Sequence, residues 1–177
     1  ELFTVFIPVY VFLSLPVLSL FRGGHERLQT RVAETQWGLM ICVYCASHIP
    51  ALMTLDVPGY DGRAVLLIAF LFLTVQFGEL LDYFFGRRLT RAGISHRILP
   101  ALSPRTWEGA AAGVVSAMLI GAVLSGITPY GIWQAALMAG IATLSGMAGS
   151  LILIAIKRDK GVRDWSHVIP GQGGFLD

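Results

Sequence analysis

The amino-acid sequence predicts an all-α protein, a polytopic transmembrane helix bundle with about five spans. Of its 177 residues, 55% are hydrophobic and 14% are charged, and the mean hydropathy is +0.68. Soluble domains are usually far less apolar. The apolar runs are long enough to cross about 30 Å of hydrocarbon, which takes roughly 20 helical residues. No run alternates with the period of two that strands require. We therefore expect a single transmembrane domain over residues 1–177.

The first two spans are predicted over residues 2–21 and 36–55. Pro8 and Pro16 lie inside the first span. A proline inside a membrane helix frees a carbonyl oxygen, and this is tolerated when a neighbouring helix supplies a replacement donor. We therefore interpret the first span as a kinked helix.

The last three spans are predicted over residues 64–85, 110–127 and 132–156. The fourth and fifth spans, with the residue just before the fourth, are rich in glycine: Gly109, Gly113, Gly121, Gly126, Gly140, Gly146 and Gly149. Small residues let membrane helices approach closely. The pattern predicts close packing of these two helices inside the bundle, with a substrate groove as the alternative.

The basic residues orient the chain, because they fall on alternate connections. The second loop holds only Arg63, with Asp56 and Asp61. The other basic residues are Arg22, Arg27 and Arg31 in the first loop, Arg87, Arg88, Arg91, Arg97 and Arg105 in the third, and Lys157, Arg158, Lys160 and Arg163 after the fifth span. The positive-inside rule places these segments, including residues 86–108 and 157–177, in the cytoplasm. The net charge of +2 is too small to indicate nucleic-acid binding.

Two acidic residues, Glu79 and Asp82, lie within the third span near its cytoplasmic end. A carboxylate at a helix centre costs about 2.5–3.5 kcal/mol on insertion scales, so it needs a partner or a function. At i and i+3 the two side chains share one helical face. They predict a Mg²⁺ site completed by substrate phosphates. The alternatives are an ion pair with Arg87 or Arg88, or simple exposure at the membrane interface.

The third loop ends in SPRTWEG, residues 103–109. Ser103 and the following proline can end a loop, and Thr106 can cap the helix that follows. Arg105 could bind a phosphate group bidentately, where a lysine would act as a point charge. The segment therefore predicts a helix cap and a candidate phosphate-binding cation.

The last 21 residues, KRDKGVRDWSHVIPGQGGFLD, hold four cations and three carboxylates. Charges that flank a membrane helix would explain this composition. Asp164 and Asp177 are too far apart for one helical face, so residues 169–174 must turn the chain if the two are to converge. The glycines of that turn would let the backbone approach phosphates closely.

These motifs resemble the CDP-diacylglycerol synthase (phosphatidate cytidylyltransferase) family. The family's C-terminal signature is a Lys-Arg pair, four residues, a basic residue and Asp, then Pro-Gly-x-Gly-Gly and a second Asp. GELLDYFFGRR, residues 78–88, and SPRTWEG resemble two further family motifs. The chain departs from the usual residues at Glu79 (Asp), Ile154 (Ser), Arg163 (Lys) and Gln172 (His). Its SPRTWEG motif is one residue shorter than the family's and has Arg105 as its cation where the family has Lys. The family signature continues beyond Asp177, so we expect the native chain to be longer.

The resemblance implies an enzyme that transfers a cytidylyl group from CTP to phosphatidate, with Mg²⁺ as cofactor. The implied catalytic residues are Asp164, Asp177, Lys157 and Arg163; the implied metal ligands are Asp164, Asp177, Glu79 and Asp82; the implied phosphate-binding residues are Ser103, Arg105, Thr106, Arg158 and Lys160. The active site would face the cytoplasm from a bacterial-type cell membrane, with a homodimer as one option. The alternatives are a related enzyme with another lipid acceptor, or a transporter or non-catalytic family member that uses Glu79 and Asp82 for ion coupling.

Overall fold

The computed structural model describes residues 6–21, 28–54, 56–60, 62–100 and 103–162. These residues form helices joined by short loops, and no strand occurs among them. One isolated antiparallel bridge joins Arg97 and Thr106. The all-α prediction is therefore confirmed. The chain divides into two compact units, Glu1–Ile68 and Ala69–Asp177.

The first unit contains two helical segments that pack against each other. A π-helical stretch, Phe6–Val11, leads into α1 (Phe12–Phe21). The second segment runs without a break through α2 (Leu28–Leu39), a π-helical stretch (Met40–Cys45), α3 (Ala46–Ala51) and a 3₁₀ turn (Leu52–Thr54). The predicted span over residues 36–55 thus begins eight residues too late, because the helix continues through polar residues that hydropathy excludes.

A side chain from the second segment satisfies the carbonyl group that Pro16 leaves without its usual donor. Pro16 has no N–H, so the carbonyl oxygen of Phe12, four residues earlier, cannot receive the normal helical bond. Gln36 Nε2 donates to that oxygen at 2.9 Å. A neighbouring helix therefore compensates the proline, as the sequence interpretation required.

The second unit is built on three long helices. These are α4 (Ala64–Arg91), whose first residues belong to the first unit, α5 (Trp107–Val123), which continues as a 3₁₀ turn (Leu124–Ile127), and α6 (Ile132–Asp159). The predicted spans lie inside or close to these bounds. Helices α4 and α6 extend beyond the apolar runs because their terminal charged residues are good helix formers that reach past the hydrocarbon.

Both α4 and α6 end at a glycine in the left-handed conformation. Gly93 has φ 76° and Gly161 has φ 66°. In each case the next amide reaches back five residues, from Ile94 to the oxygen of Leu89 and from Val162 to that of Lys157, both at 3.0 Å. This is the Schellman arrangement, which satisfies the last carbonyl groups and stops the helix.

Glycine lets the three helices approach until their backbones nearly touch. A Cβ atom added at Gly121 on α5 would lie 2.5 Å from the Cβ of Ala139 on α6. One added at Gly113 on α5 would lie 2.7 Å from the carbonyl oxygen of Gly78 on α4. The predicted close packing of the fourth and fifth spans is confirmed, and α4 joins it.

Within the part of the chain that the structure describes, four helical stretches are long and apolar enough to cross a membrane: Leu28–Thr54, Ala64–Arg91, Trp107–Ile127 and Ile132–Asp159. A shorter apolar stretch, Pro8–Phe21, corresponds to the first predicted span. Large apolar side chains such as Phe72, Leu119 and Trp133 point outwards, as expected of surfaces that face lipid. The chain is a multi-pass integral membrane protein.

Candidate functional site

The two acidic residues of α4 differ in their exposure. The Glu79 side chain is 31% exposed, whereas that of Asp82 is 4% exposed. Asp82 is covered by the first turns of α5: a Cβ atom at Gly109 would lie 2.8 Å from Asp82 Oδ1. The two carboxylates share a helical face, as predicted, but only Glu79 is substantially accessible.

Arg105 reaches both carboxylates from the loop before α5. Its Nη2 lies 3.4 Å from Glu79 Oε1, and its Nη1 lies 3.3 Å from Asp82 Oδ2. The second contact is an ion pair without hydrogen-bond geometry. Within the described chain, Nη1 is a buried nitrogen that lacks a hydrogen-bond acceptor. A cation placed between two carboxylates offsets much of the cost of holding them in an apolar region.

An ion pair of Glu79 or Asp82 with Arg87 or Arg88 was one of the alternatives left open by the sequence, and it does not form because both arginines contact other side chains. Arg87 Nη1 donates to the Tyr83 hydroxyl at 2.9 Å. The Arg88 guanidinium lies 5.1 Å from the ring centre of Phe84, within cation–π range. Sequence proximity favoured these two arginines, whereas helix packing brings Arg105 to the carboxylates instead.

The backbone of Arg105 is held on both sides. Its N–H donates to Ser103 Oγ at 3.2 Å, and its carbonyl oxygen accepts from the amide of Ile98 at 3.0 Å. The adjacent Trp107 amide donates to the carbonyl oxygen of His96 at 3.0 Å. These bonds fix the position from which the guanidinium extends.

Thr106 caps α5, as the sequence predicted. It has an extended backbone, and its Oγ1 accepts from the amide of Gly109 at 3.1 Å. Ser103 and Thr106 are both buried. Their hydroxyl groups organise the loop that carries Arg105.

Glu108 and His96 form a second set of polar contacts in this loop, which the sequence interpretation missed. Both carboxylate oxygens of Glu108 accept from the His96 amide, at 3.1 and 3.0 Å. His96 Nδ1 also lies 2.6 Å from Glu108 Oε1. His96 is well exposed, so this contact anchors the outer edge of the loop to the first turn of α5.

Ser150 on α6 is the other functional candidate that sequence reasoning missed. Its Oγ donates to Glu79 Oε1 at 3.1 Å. The only signal in the sequence was a hydroxyl residue at the start of the apolar run that precedes Lys157. Serine is common inside membrane helices, so that signal is weak. The site therefore draws on α4, the loop before α5, and α6.

The structure describes some of the remaining predicted site residues, and the others lie outside the described residues. Lys157 and Arg158 occupy the last turn of α6, and Lys160 follows directly. Arg163, Asp164 and Asp177 lie outside the described residues. Among the described residues no group of three or more His, Cys, Asp or Glu side chains converges on one point. A metal site here would need Glu79 or Asp82 together with donors from residues 163–177 or from substrate.

A cavity of about 400 Å³ lies in the first unit, lined by residues that include Met53, Asp56 and Tyr60. None of the predicted site residues lines it. The carboxylates and Arg105 belong to the second unit, and their arrangement rather than a deep cavity defines the candidate site.

The sequence model of the cytidylyltransferase family matches residues 1–177. "Uncharacterized protein YnbB" of Escherichia coli K12 is 32% identical over 179 residues, covering 100% of this chain and 58% of its own. The phosphatidate cytidylyltransferase of Staphylococcus saprophyticus is 28% identical over 153 residues, covering 84% and 57%. That of Mycobacterium leprae is 34% identical over 87 residues, covering 46% and 27%.

The chain therefore spans a little over half the length of the curated relatives that match most of it. No solved structure matches it.

Proposed function

The chain belongs to the cytidylyltransferase family, and from this premise we propose that it transfers a cytidylyl group from CTP to phosphatidate. The products are CDP-diacylglycerol and pyrophosphate. Matching relatives that are named phosphatidate cytidylyltransferase support this choice of acceptor. The observation that carries the proposal is the convergence of Arg105 with Glu79 and Asp82. A cluster of one arginine and two carboxylates can bind substrate phosphate groups together with a metal ion.

The reaction needs positioned charge more than covalent participation by the protein. An oxygen of the lipid phosphate attacks the α-phosphorus of CTP in line. The new P–O bond forms as the bond from the α-phosphorus to the bridging oxygen breaks, and pyrophosphate leaves with that electron pair. Lys157, Arg158, Lys160 and Arg163 would surround the phosphates with positive charge.

The oxygen donors of the site fit Mg²⁺. This ion prefers a few carboxylates, keeps several waters and accepts substrate phosphates as further ligands. Glu79, Asp164 and Asp177 are the ligands we assign to it. We choose Glu79 over Asp82 because the Asp82 carboxylate is nearly fully buried and has no room for a hydrated ion. When bound, Mg²⁺ would neutralise charge on the reacting phosphates.

Arg105 is the residue we assign to a substrate phosphate. Its guanidinium lies beside Glu79 and 21% of the side chain is exposed, whereas the buried Nη1 faces Asp82. A phosphate oxygen could accept from the exposed part of the guanidinium, and a charge-assisted bond of this kind is among the stronger ones in proteins. Ser103 and Thr106 are buried, so we assign them to holding the Arg105 backbone rather than to phosphate contact.

The site would face the cytoplasm, where CTP is available. It is built near the C-terminal halves of α4 and α6 and the start of α5. These ends adjoin the basic segments that the positive-inside rule assigns to the cytoplasmic side.

The decisive experiment measures pyrophosphate release from CTP by the protein purified in detergent and supplied with phosphatidate. We expect turnover that requires Mg²⁺ and stops with EDTA. Asp164→Asn should abolish turnover in a folded protein, because an amide is a poor substitute for a charged metal ligand. Asp159→Asn, which changes an exposed acid five residues away, is the matched control and should retain activity.

Three results would count against the proposal. No metal-dependent pyrophosphate release would favour the transporter alternative. Normal turnover in Asp164→Asn would remove that residue from the site. Release with a mixture of lipid acids, but not with phosphatidate alone, would indicate a different lipid acceptor, which mass spectrometry of the products would then identify.

A further inference from the structure

We propose that Ser150 is a positioning residue that orients the Glu79 carboxylate toward the bound cation, an inference that rests on the proposed function. Ser150 Oγ donates to Glu79 Oε1 at 3.1 Å, although the residues are 71 positions apart. Arg105 Nη2 approaches the same oxygen at 3.4 Å. Two donors from two different elements thus converge on Oε1, and Oε2 is the oxygen we assign to the cation.

The Glu79 carboxylate needs an orienting hydrogen bond because the terminal torsion of a glutamate side chain is broad and roughly two-fold. A glutamate in the third span has one more rotatable bond than the aspartate usual at that position. A carboxylate without an orienting donor would present both oxygens in several directions. Hydrogen bonds to metal ligands from surrounding residues typically change metal affinity or activity by 10- to 100-fold.

The direction of the Ser150 hydroxyl distinguishes it from the buried threonine hydroxyl groups of α4 and α6. Serine and threonine inside a helix commonly bond to the carbonyl group three or four residues earlier. Thr143 Oγ1 does so with Ala139 at 2.8 Å, and Thr74 Oγ1 does so with Phe70 at 2.8 Å. Ser150 instead donates across to α4.

Close packing of α4 and α6 makes this bond geometrically feasible for a short side chain. A Cβ atom added at Gly78 on α4 would lie 2.6 Å from Thr143 Cγ2 on α6. One added at Gly146 would lie 3.3 Å from Val75 Cγ1. The helices are therefore in contact over the turns just before Glu79 and Ser150, so a hydroxyl on a single carbon can reach the carboxylate.

The same bond links the carboxylate to the basic end of α6. Lys157 follows Ser150 by seven residues, which is two helical turns, so both lie on one face about 10 Å apart along the axis. The packing of α4 against α6 places Ser150 beside Glu79. The same packing determines the distance between Lys157 and a metal ion bound at Glu79.

The test compares Ser150→Ala and Ser150→Thr with the wild-type protein in detergent. The main readout is Mn²⁺ binding without CTP, followed by electron paramagnetic resonance. The second is the Mg²⁺ concentration that gives half-maximal turnover. We expect Ser150→Ala to weaken both by about 10- to 100-fold. Ser150→Thr keeps the hydroxyl group and should restore most of the affinity.

Ser145→Ala is the matched control, because Ser145 lies on the same helix and is exposed. It should leave metal binding and the melting temperature unchanged. A Ser150→Ala protein that binds Mn²⁺ as the wild type does would overturn the inference. So would an equal loss in the alanine and threonine variants, or a lower melting temperature with unchanged metal response, which would indicate packing alone.

The two proposals fail in distinguishable ways. A wild-type protein without metal-dependent turnover overturns the proposed function. A wild-type protein that turns over with Mg²⁺, combined with a Ser150→Ala variant of unchanged metal response, overturns only the role of Ser150.

Discussion

The acidic pair on α4 shows how neighbouring residues of the same charge can have different roles. Glu79 is partly exposed and accepts from Ser150 and Arg105, whereas Asp82 is packed under Gly109 and pairs with Arg105. An exposed carboxylate can exchange its partners for an ion and water. A buried carboxylate beside a buried cation contributes mainly to folding, because either charge left alone would be costly.

At the scale of single residues, we predict that Glu79→Gln mainly lowers turnover and that Asp82→Asn mainly lowers stability. Glu79→Gln should lower turnover at least ten-fold, which is about 1.4 kcal/mol of transition-state stabilisation, with little change in melting temperature. Asp82→Asn should lower the free energy of unfolding by about 3 kcal/mol, because the Arg105 charge then lacks its buried partner. Melting curves and Mg²⁺ titrations of both purified variants measure the two effects.

The opposite pattern would contradict this assignment. If Asp82→Asn melts like the wild type but no longer responds to Mg²⁺, the buried residue is the metal ligand. If neither substitution changes turnover, the pair serves only to balance Arg105, and the metal site must be built from the C-terminal segment.

At the scale of helices, the contact between α5 and α6 depends on the absence of side chains. Gly121 faces Ala135 and Ala139, and an added Cβ would lie 2.8 Å from the Ala135 carbonyl oxygen. Neither a backbone oxygen nor an alanine methyl can rotate away, so the helices themselves would have to separate. Interiors are close-packed, and such overpacking typically costs about 1–3 kcal/mol.

We therefore expect Gly121→Ala to lower the melting temperature, although alanine is the better helix former. Gly126→Ala is the control at the end of the same helical stretch, because an added Cβ there would meet nothing within 4 Å. It should be neutral or stabilising. Unfolding of both variants in the same detergent is the measurement, and a Gly121→Ala protein as stable as Gly126→Ala would contradict the packing argument.

For the molecule as a whole, the main prediction concerns its orientation in the membrane. Basic residues occur on alternate connections between the helices, so reporters fused after Arg97 and after Asp177 should both be cytoplasmic. A reporter inserted at Gly59, in the connection before α4, should be external. Alkaline phosphatase and green fluorescent protein fusions distinguish the two sides. A cytoplasmic Gly59 would mean that one helical stretch does not cross the membrane.

The sequence by itself determined the membrane class, the helices and the family. Long apolar runs can be stable in hydrocarbon only as helices, because every backbone group must find a partner within the segment. Thr106 was predictable as a cap for a similar reason: its hydroxyl bonds an amide only three residues away. The motifs around Glu79, Arg105 and Lys157 were enough to indicate the family, since they are short and ordered along the chain.

Only the tertiary structure decided which side chains meet. Arg105 lies 26 residues from Glu79 in sequence and Ser150 lies 71 residues away, so their contacts depend on the register of packed helices. The sequence offered Arg87 and Arg88 as nearer partners. The sequence also did not show that Asp82 is the more deeply buried of the two acids, because burial depends on the helix that covers a residue. Glycines at the contacts set that register, and their effect is visible only when the facing helix is in place.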